Sequence, residues 1–136
     1  MIDAAFARQF ADEWIAAWNA HDLERILAHY TDDFEMRSPL IIERMGVASG
    51  LLRGKVAMRT YWGKALAAKP ELHFELRDVL VGVDTIVLYY YSAARGRMAA
   101  ESLTFNSERQ VVRAAAHHGV VTAASIPMTR GVSTAG

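Results

Sequence analysis

Thr85-Ile-Val-Leu-Tyr-Tyr-Tyr-Ser-Ala93, the break Ala94-Arg-Gly-Arg97, and Met98-Ala-Ala-Glu-Ser-Leu-Thr-Phe105 together decide the fold. Both runs are rich in β-branched and aromatic residues, the composition of strands. Similar runs flank them at 73–83 and 111–118, set off by Gly82-Val-Asp84 and by Asn106-Ser-Glu-Arg109. Four meander strands are the simplest reading. Side chains on a strand alternate between faces, so a strand that buries Leu103 and Phe105 carries Glu101 to the same apolar side. A carboxylate buried without a partner is costly, and it escapes through a raised pKa or a specific hydrogen bond, which is also how a general acid is made. Two explanations are open: Glu101 lies at a strand end or pairs with Arg95 or Arg97, or it is the polar anchor of a ligand pocket. Residues 86–91 are apolar on both faces, more than a one-sided sheet needs, so a second cover is expected. A partner subunit on the outer face of the sheet, hence a homodimer, is the simplest one.

Upstream of the strands the periodicity changes. Phe6, Phe10, Trp14 and Trp18 recur at four-residue steps, which predicts a helix over residues 3–19 with an aromatic stripe facing the core. After His21, Asp22 can cap a second helix with Leu23, Ile26, Leu27 and Tyr30 as its apolar positions. Thr31-Asp-Asp33 reads as a turn into a strand that carries Phe34, Met36 and Ser38 on one face, and Pro39 ends regular pairing or marks an edge. Residues 40–53 are too apolar for a solvated loop and suggest a lid or a partner contact. Gly54 opens a third helix to residue 68, with Val56, Tyr61, Ala65 and Leu66 as core positions. Helices followed by an antiparallel sheet mean an α+β fold with the helices on one face.

The chain is 136 residues long and 52% apolar, which fits one domain over 1–121 with a flexible C-terminal tail at 122–136. Fifteen Lys and Arg balance fifteen Asp and Glu without runs of like charge, so neither nucleic acid nor membrane is expected as a partner. There is no cysteine, hence no thiol nucleophile or Cys-based metal site. The opening residues lack a signal-peptide pattern, and a cytoplasmic protein is the expectation. His21 and His73 lack metal-ligand spacing, so neither a metal nor another cofactor is expected.

The segments Trp14-Ile-Ala-Ala-Trp-Asn-Ala-His-Asp-Leu-Glu-Arg-Ile26, Tyr30-Thr-Asp-Asp-Phe34, Ser38-Pro39, Gly54 with Trp62 eight residues on, and Glu101 with Phe105 four residues on, resemble the nuclear transport factor 2-like superfamily, in its ketosteroid isomerase and SnoaL-like polyketide cyclase branch. The resemblance spans residues 3–118 and implies three helices on a strongly curved, mostly antiparallel sheet, a cystatin-like α+β barrel around a deep apolar cone. It implies a pocket drawn from Trp14, Trp18, Tyr30, Phe34, Met36, Ser38, Tyr61, Trp62, Leu103 and Phe105, with a small apolar organic molecule as ligand. The departures matter as much. The isomerase base, an aspartate before a proline, matches Ser38, which cannot accept a proton at neutral pH without a base of its own. The oxyanion-hole tyrosine matches Trp14, a third pocket tyrosine matches Trp62 while Tyr30 keeps its phenol, and the protonated acid of that hole matches Glu101, one methylene longer than the family's aspartate.

The register of the resemblance favours His118 over His117 as the histidine near the cone, and its chemistry suits a proton acceptor near neutral pH. Glu101 and His118 are therefore the candidate catalytic pair. Two functions are compatible with these residues: an isomerase, cyclase or dehydratase type of enzyme on a small apolar substrate, or a ligand-binding or dimeric module in which Glu101 satisfies a buried donor such as the Trp14 indole.

Overall fold

The computed structural model describes residues 1–121, and the tail expected at 122–136 lies outside them. Asp3 starts helix α1 (Ala4–Asn19) by accepting a hydrogen bond from the Phe6 amide at 2.8 Å. Steps of three and four then bury Ala7, Phe10, Ala11, Trp14, Ala17 and Trp18 along one side. Asp22 caps the short α2 (Leu23–Leu27) in the same way, through the Arg25 amide.

Here the structure departs from the expected turn. Tyr30 does not close the second helix but opens strand β1 (Tyr30–Arg37), which runs straight through residues 31–33. The backbone at this point is claimed by a ladder: the Val111 amide donates to the His29 carbonyl at 2.9 Å, and Tyr30 lies opposite Val111. The pairing of β1 ends at Arg37, before Pro39 as expected, and Pro39 then occupies the first turn of α3 (Pro39–Met45), where its fixed φ and missing N–H fit a helix start. Gly46 closes α3 in the left-handed region at φ 68°. Strand β2 (Leu51–Arg53) pairs antiparallel with β1, so the segment 40–53 is a helix and an edge strand pinned by fully buried Ile41 rather than a free lid. Gly50 allows the close approach: a side chain there would meet Ile42 at 3.2 Å and the Ser38 carbonyl at 3.3 Å.

Helix α4 (Lys55–Ala68) buries Met58, Tyr61, Trp62 and Leu66. Val56, expected in the core, is 82% exposed, because the buried stripe starts two residues later at Met58. Strands β3 (Phe74–Val81), β4 (Thr85–Ser92), β5 (Arg97–Phe105) and β6 (Val111–His118) form the meander. With β1 and β2 they build one six-stranded sheet in the order β2-β1-β6-β5-β4-β3, antiparallel throughout except at the β1–β6 pair. Register shifts between Leu76 and Asp78 and between Thr104 and Phe105 insert bulges, which bend strands and curl a sheet around whatever packs inside it. The helices fill that concave face. Phe105 at the end of β5 meets Phe10 of α1 edge-on at 5.0 Å, closing one end of the core.

Candidate functional site

Alternation along β5 buries Ala99, Glu101, Leu103 and Phe105 on the concave side, and Glu101 keeps only 4% of its surface exposed. Its carboxylate has no cation beside it: neither Arg95 nor Arg97 forms an ion pair with it, so the expectation of an arginine partner fails. Both arginines are displaced along the chain, Arg97 at the start of β5 opposite Ser92 and Arg95 in the preceding turn. The partner the structure supplies is Tyr90, whose hydroxyl donates to Glu101 Oε1 over a long 3.4 Å. Burial pushes the Glu101 pKa up to about 8, against a smaller lowering from the Tyr90 hydrogen bond. At neutral pH it is a carboxylic acid able to donate a proton. Tyr90 in turn is held well above its ordinary value, first by burial and then by the Glu101 charge.

The Trp14 indole is satisfied elsewhere: it donates to the Tyr30 hydroxyl at 3.0 Å, so Glu101 is not its acceptor. Burial likewise raises the Tyr30 pKa, and Tyr30 is a neutral phenol.

Above these groups the concave face leaves a cavity that opens to solvent through its mouth. Trp14, Trp18, Met36, Ser38, Tyr61, Trp62, Glu101 and His118 stand on its walls, together with Leu72, Phe74 and Tyr90. Four of the residues expected on the wall do not reach it. Tyr30, Phe34 and Leu103 are fully buried behind the lining, and Phe105 packs against Phe6 and Phe10 at the closed end. For Tyr30 and Phe34 the physical reason is Trp62, itself on the wall, whose ring lies 5.3 Å from Tyr30 and stacks 5.9 Å from Phe34. Phe74, Tyr90 and the cations Arg44, Lys69 and Arg95 were missed by the sequence reading. For Tyr90 a signal existed, since it shares the parity of Leu88, but which residue faces Glu101 depends on the β4–β5 register that pairs Leu88 with Glu101.

Ser38 has a defined employment. Its side-chain oxygen accepts from the Leu40 amide at 3.1 Å, capping α3, and it lies near the Tyr61 phenol, whose pKa burial raises. Among the described residues no carboxylate or histidine hydrogen-bonds its hydroxyl. His118 stands opposite Ala99, two residues along β6 from the Ala116 that faces Glu101. Glu101 and His118 are thus diagonal neighbours on one face of the sheet, both on the cavity wall, and no hydrogen bond joins them. Burial lowers the His118 pKa, helped by the charges of Arg95 and Arg44, and its Nε2 is a buried atom with no hydrogen-bond partner among the described residues. His117 points outward and is exposed. The Trp18 indole N–H is a second buried polar atom on the wall without a partner among the described residues. Elsewhere, His29 lies under Phe10 with Glu13 3.9 Å from its Nε2, and His21 contacts the Leu72 carbonyl at 2.9 Å. Among the described residues no group of three or more His, Asp or Glu is arranged to hold a metal ion.

Residues 11–126 match the SnoaL-like domain family. A SnoaL-like protein of unknown function from Burkholderia thailandensis is 51% identical, over 87% of this chain and 98% of that one, with a TM-score of 0.84. The epoxide hydrolase/cyclase-like enzyme SalBIII, of pyran ring formation in the polyether salinomycin, shares the fold at 17% identity over 88% of this chain and 95% of its own, with a TM-score of 0.68. So does a cystatin-like fold protein of unknown function from Methylobium petroleophilum, at 13% identity over 92% and 83% of the two chains and a TM-score of 0.69. No curated protein matches the sequence.

Proposed function

We propose, from the premise that this chain belongs to the SnoaL-like domain family, that its cavity receives a small apolar molecule and performs acid/base chemistry on it. The single observation that carries the reading is Glu101: a carboxyl group buried at the cavity wall, without a cation, with one long hydrogen bond and a pKa pushed up to about 8. Such a group is a proton donor at neutral pH, the state a general acid or carbonyl polariser needs. Glu101 donates to a carbonyl, hydroxyl or ether oxygen of the ligand. His118, kept neutral by its burial and by the neighbouring arginines, accepts a proton from the far side. Trp14, Trp18, Tyr61 and Trp62 enclose the apolar body, and the unpartnered Trp18 N–H offers it a further hydrogen bond. Isomerisation, cyclisation and dehydration that proceed by moving protons are served by such an acid/base pair. The kinship in fold with a cyclase-like enzyme agrees with that class.

One observation favours a non-catalytic ligand-binding module: Ser38, at the position of the isomerase base, is occupied as a helix cap. A thermal-shift screen of wild type and Glu101→Gln against steroids, aromatic polyketides and terpenoids tests the reading, because a ligand that binds only the native state raises its stability. The expected result is a set of hits whose shift depends on Glu101 and which Glu101→Gln no longer converts. His118→Asn should keep binding and lose conversion. Ligands bound equally by wild type and Glu101→Gln, with no product by mass spectrometry after long incubation, would contradict the enzymatic role and leave the binding module. A cytoplasmic setting belongs to the same proposal, with fractionation as its check. No helix among the described residues is long and apolar enough to cross a membrane.

A further inference from the structure

The cavity is apolar within and cationic at its mouth. Arg44 comes from the last turn of α3, Lys69 from the C-terminal cap of α4, and Arg95 from the turn between β4 and β5, and all three line the same space. The two arginines are exposed at the opening. They converge closely enough that both hold down the His118 pKa, and both act on Tyr61 across the cavity. Among the described residues, Arg8, Arg25, Arg53, Lys55, Arg59, Arg77 and Arg109 each have a carboxylate within 4.0 Å, whereas Arg44, Lys69 and Arg95 at this opening, like Arg37, Lys64, Arg97 and Arg113 elsewhere, have none. Among the described residues the one acid on the lining is Glu101, which is protonated at neutral pH. Glu43, on the same helix as Arg44, is the one carboxylate whose charge reaches His118, and it forms no ion pair with any of the three.

This imbalance is local. The chain has fifteen basic and fifteen acidic residues, yet among the described residues this one opening gathers three cations and no ionised acid. Like charges gathered without counter-charges repel, and the arrangement is relieved by an anion between them. Two arginines add geometry, since the guanidinium fork matches the two oxygens of a carboxylate.

We infer that the molecule bound in the cone is an apolar acid, whose carboxylate is held at the mouth between Arg44 and Arg95 while its hydrocarbon body extends inward toward Glu101. The inference rests on the ligand-binding reading above and narrows it to anionic amphiphiles. Lys69 supplies longer-range attraction as a point charge. The buried acid at the inner end and the cations at the outer end then fix the direction in which the ligand lies.

The test uses matched pairs on naphthalene, abietane and cholane skeletons, each as carboxylic acid and as methyl ester, titrated by quenching of tryptophan fluorescence. The acid is expected to bind about tenfold more tightly than its ester on the skeletons that fit. The advantage should shrink at high ionic strength, as it must for partly exposed charges. In the double variant Arg44→Gln/Arg95→Gln, both exposed positions, the acid should fall to the affinity of the ester while the ester is unaffected. Equal affinity of acid and ester in wild type would overturn the inference and leave the apolar binding reading standing. A preference that survives in the double variant would overturn the assignment to these arginines. Tighter binding of the corresponding phosphate monoesters would replace carboxylate by phosphate as the ligand class. Failure of every skeleton in both forms would remove this inference and the ligand-binding reading together.

Discussion

Glu101 makes its presence felt through pH. Between the ordinary value of 4.5 and about 8 the native state holds a proton on this carboxyl that the unfolded chain has already released. Stability therefore falls as pH rises through that window, because the unfolded state binds fewer protons there. Glu101→Gln keeps the shape and has nothing to titrate, so its stability relative to wild type should climb with pH across the same window, by up to a few kcal/mol. Urea unfolding of both proteins at the two ends of the window checks this, and a pH-independent difference would contradict a buried neutral acid. The inward aim of Glu101 was legible because it needs only the two-residue period of a strand. Its partner was not. Tyr90 and Arg95 are both within reach in sequence, and only the pairing of Leu88 with Glu101 selects the tyrosine.

At the scale of elements, two joints hold the cavity open. Asn19, at the end of α1, donates from Nδ2 to the Phe74 carbonyl at 2.9 Å and accepts from the Phe74 amide at 2.7 Å, pinning the helix to the start of β3 and so setting Phe74 on the wall. Asn19→Ala strands both backbone groups and should cost about 1–3 kcal/mol in chemical denaturation. Ser38 is the second joint. Ser38→Ala removes the cap of α3 and should cost about 1 kcal/mol, without the loss of ligand conversion that removal of a catalytic base would cause. Helices α1 and α4 were readable from their periodic aromatic and apolar residues. The segment 40–53 was not, since Ser38 followed by Pro39 reads equally well as the end of a strand and as the start of a helix, and its outcome depends on Ile41 finding a place in the core. Tyr30 was misplaced for a related reason: an aromatic residue three or four positions after Ile26 and Leu27 continues a helical stripe, and only pairing with β6 makes it a strand.

At the scale of the whole molecule, the order of helices then strands announced the α+β class, and the curvature comes from bulges that no pattern in the sequence marked. The convex face of the sheet keeps an apolar band: Tyr89 is 38% exposed and Leu80 51%, with Val87 and Tyr91 half-buried beside them. We propose that a second copy of the chain covers this band. Sedimentation equilibrium should give twice the 15.1 kDa chain mass, and Tyr89→Glu should shift the protein toward monomer; a monomer of wild type at tens of micromolar, an order-of-magnitude concentration for stable homodimers, would contradict the proposal. The acid/base reading of the cone stands or falls on the state of its buried acid. The most direct measurement is a carbon-13 NMR titration of the glutamate side-chain carboxyl groups, with the Glu101 signal identified by its absence from Glu101→Gln. The account predicts an inflection near the value of about 8 that burial imposes, and an inflection at or below the ordinary 4.5 would contradict it.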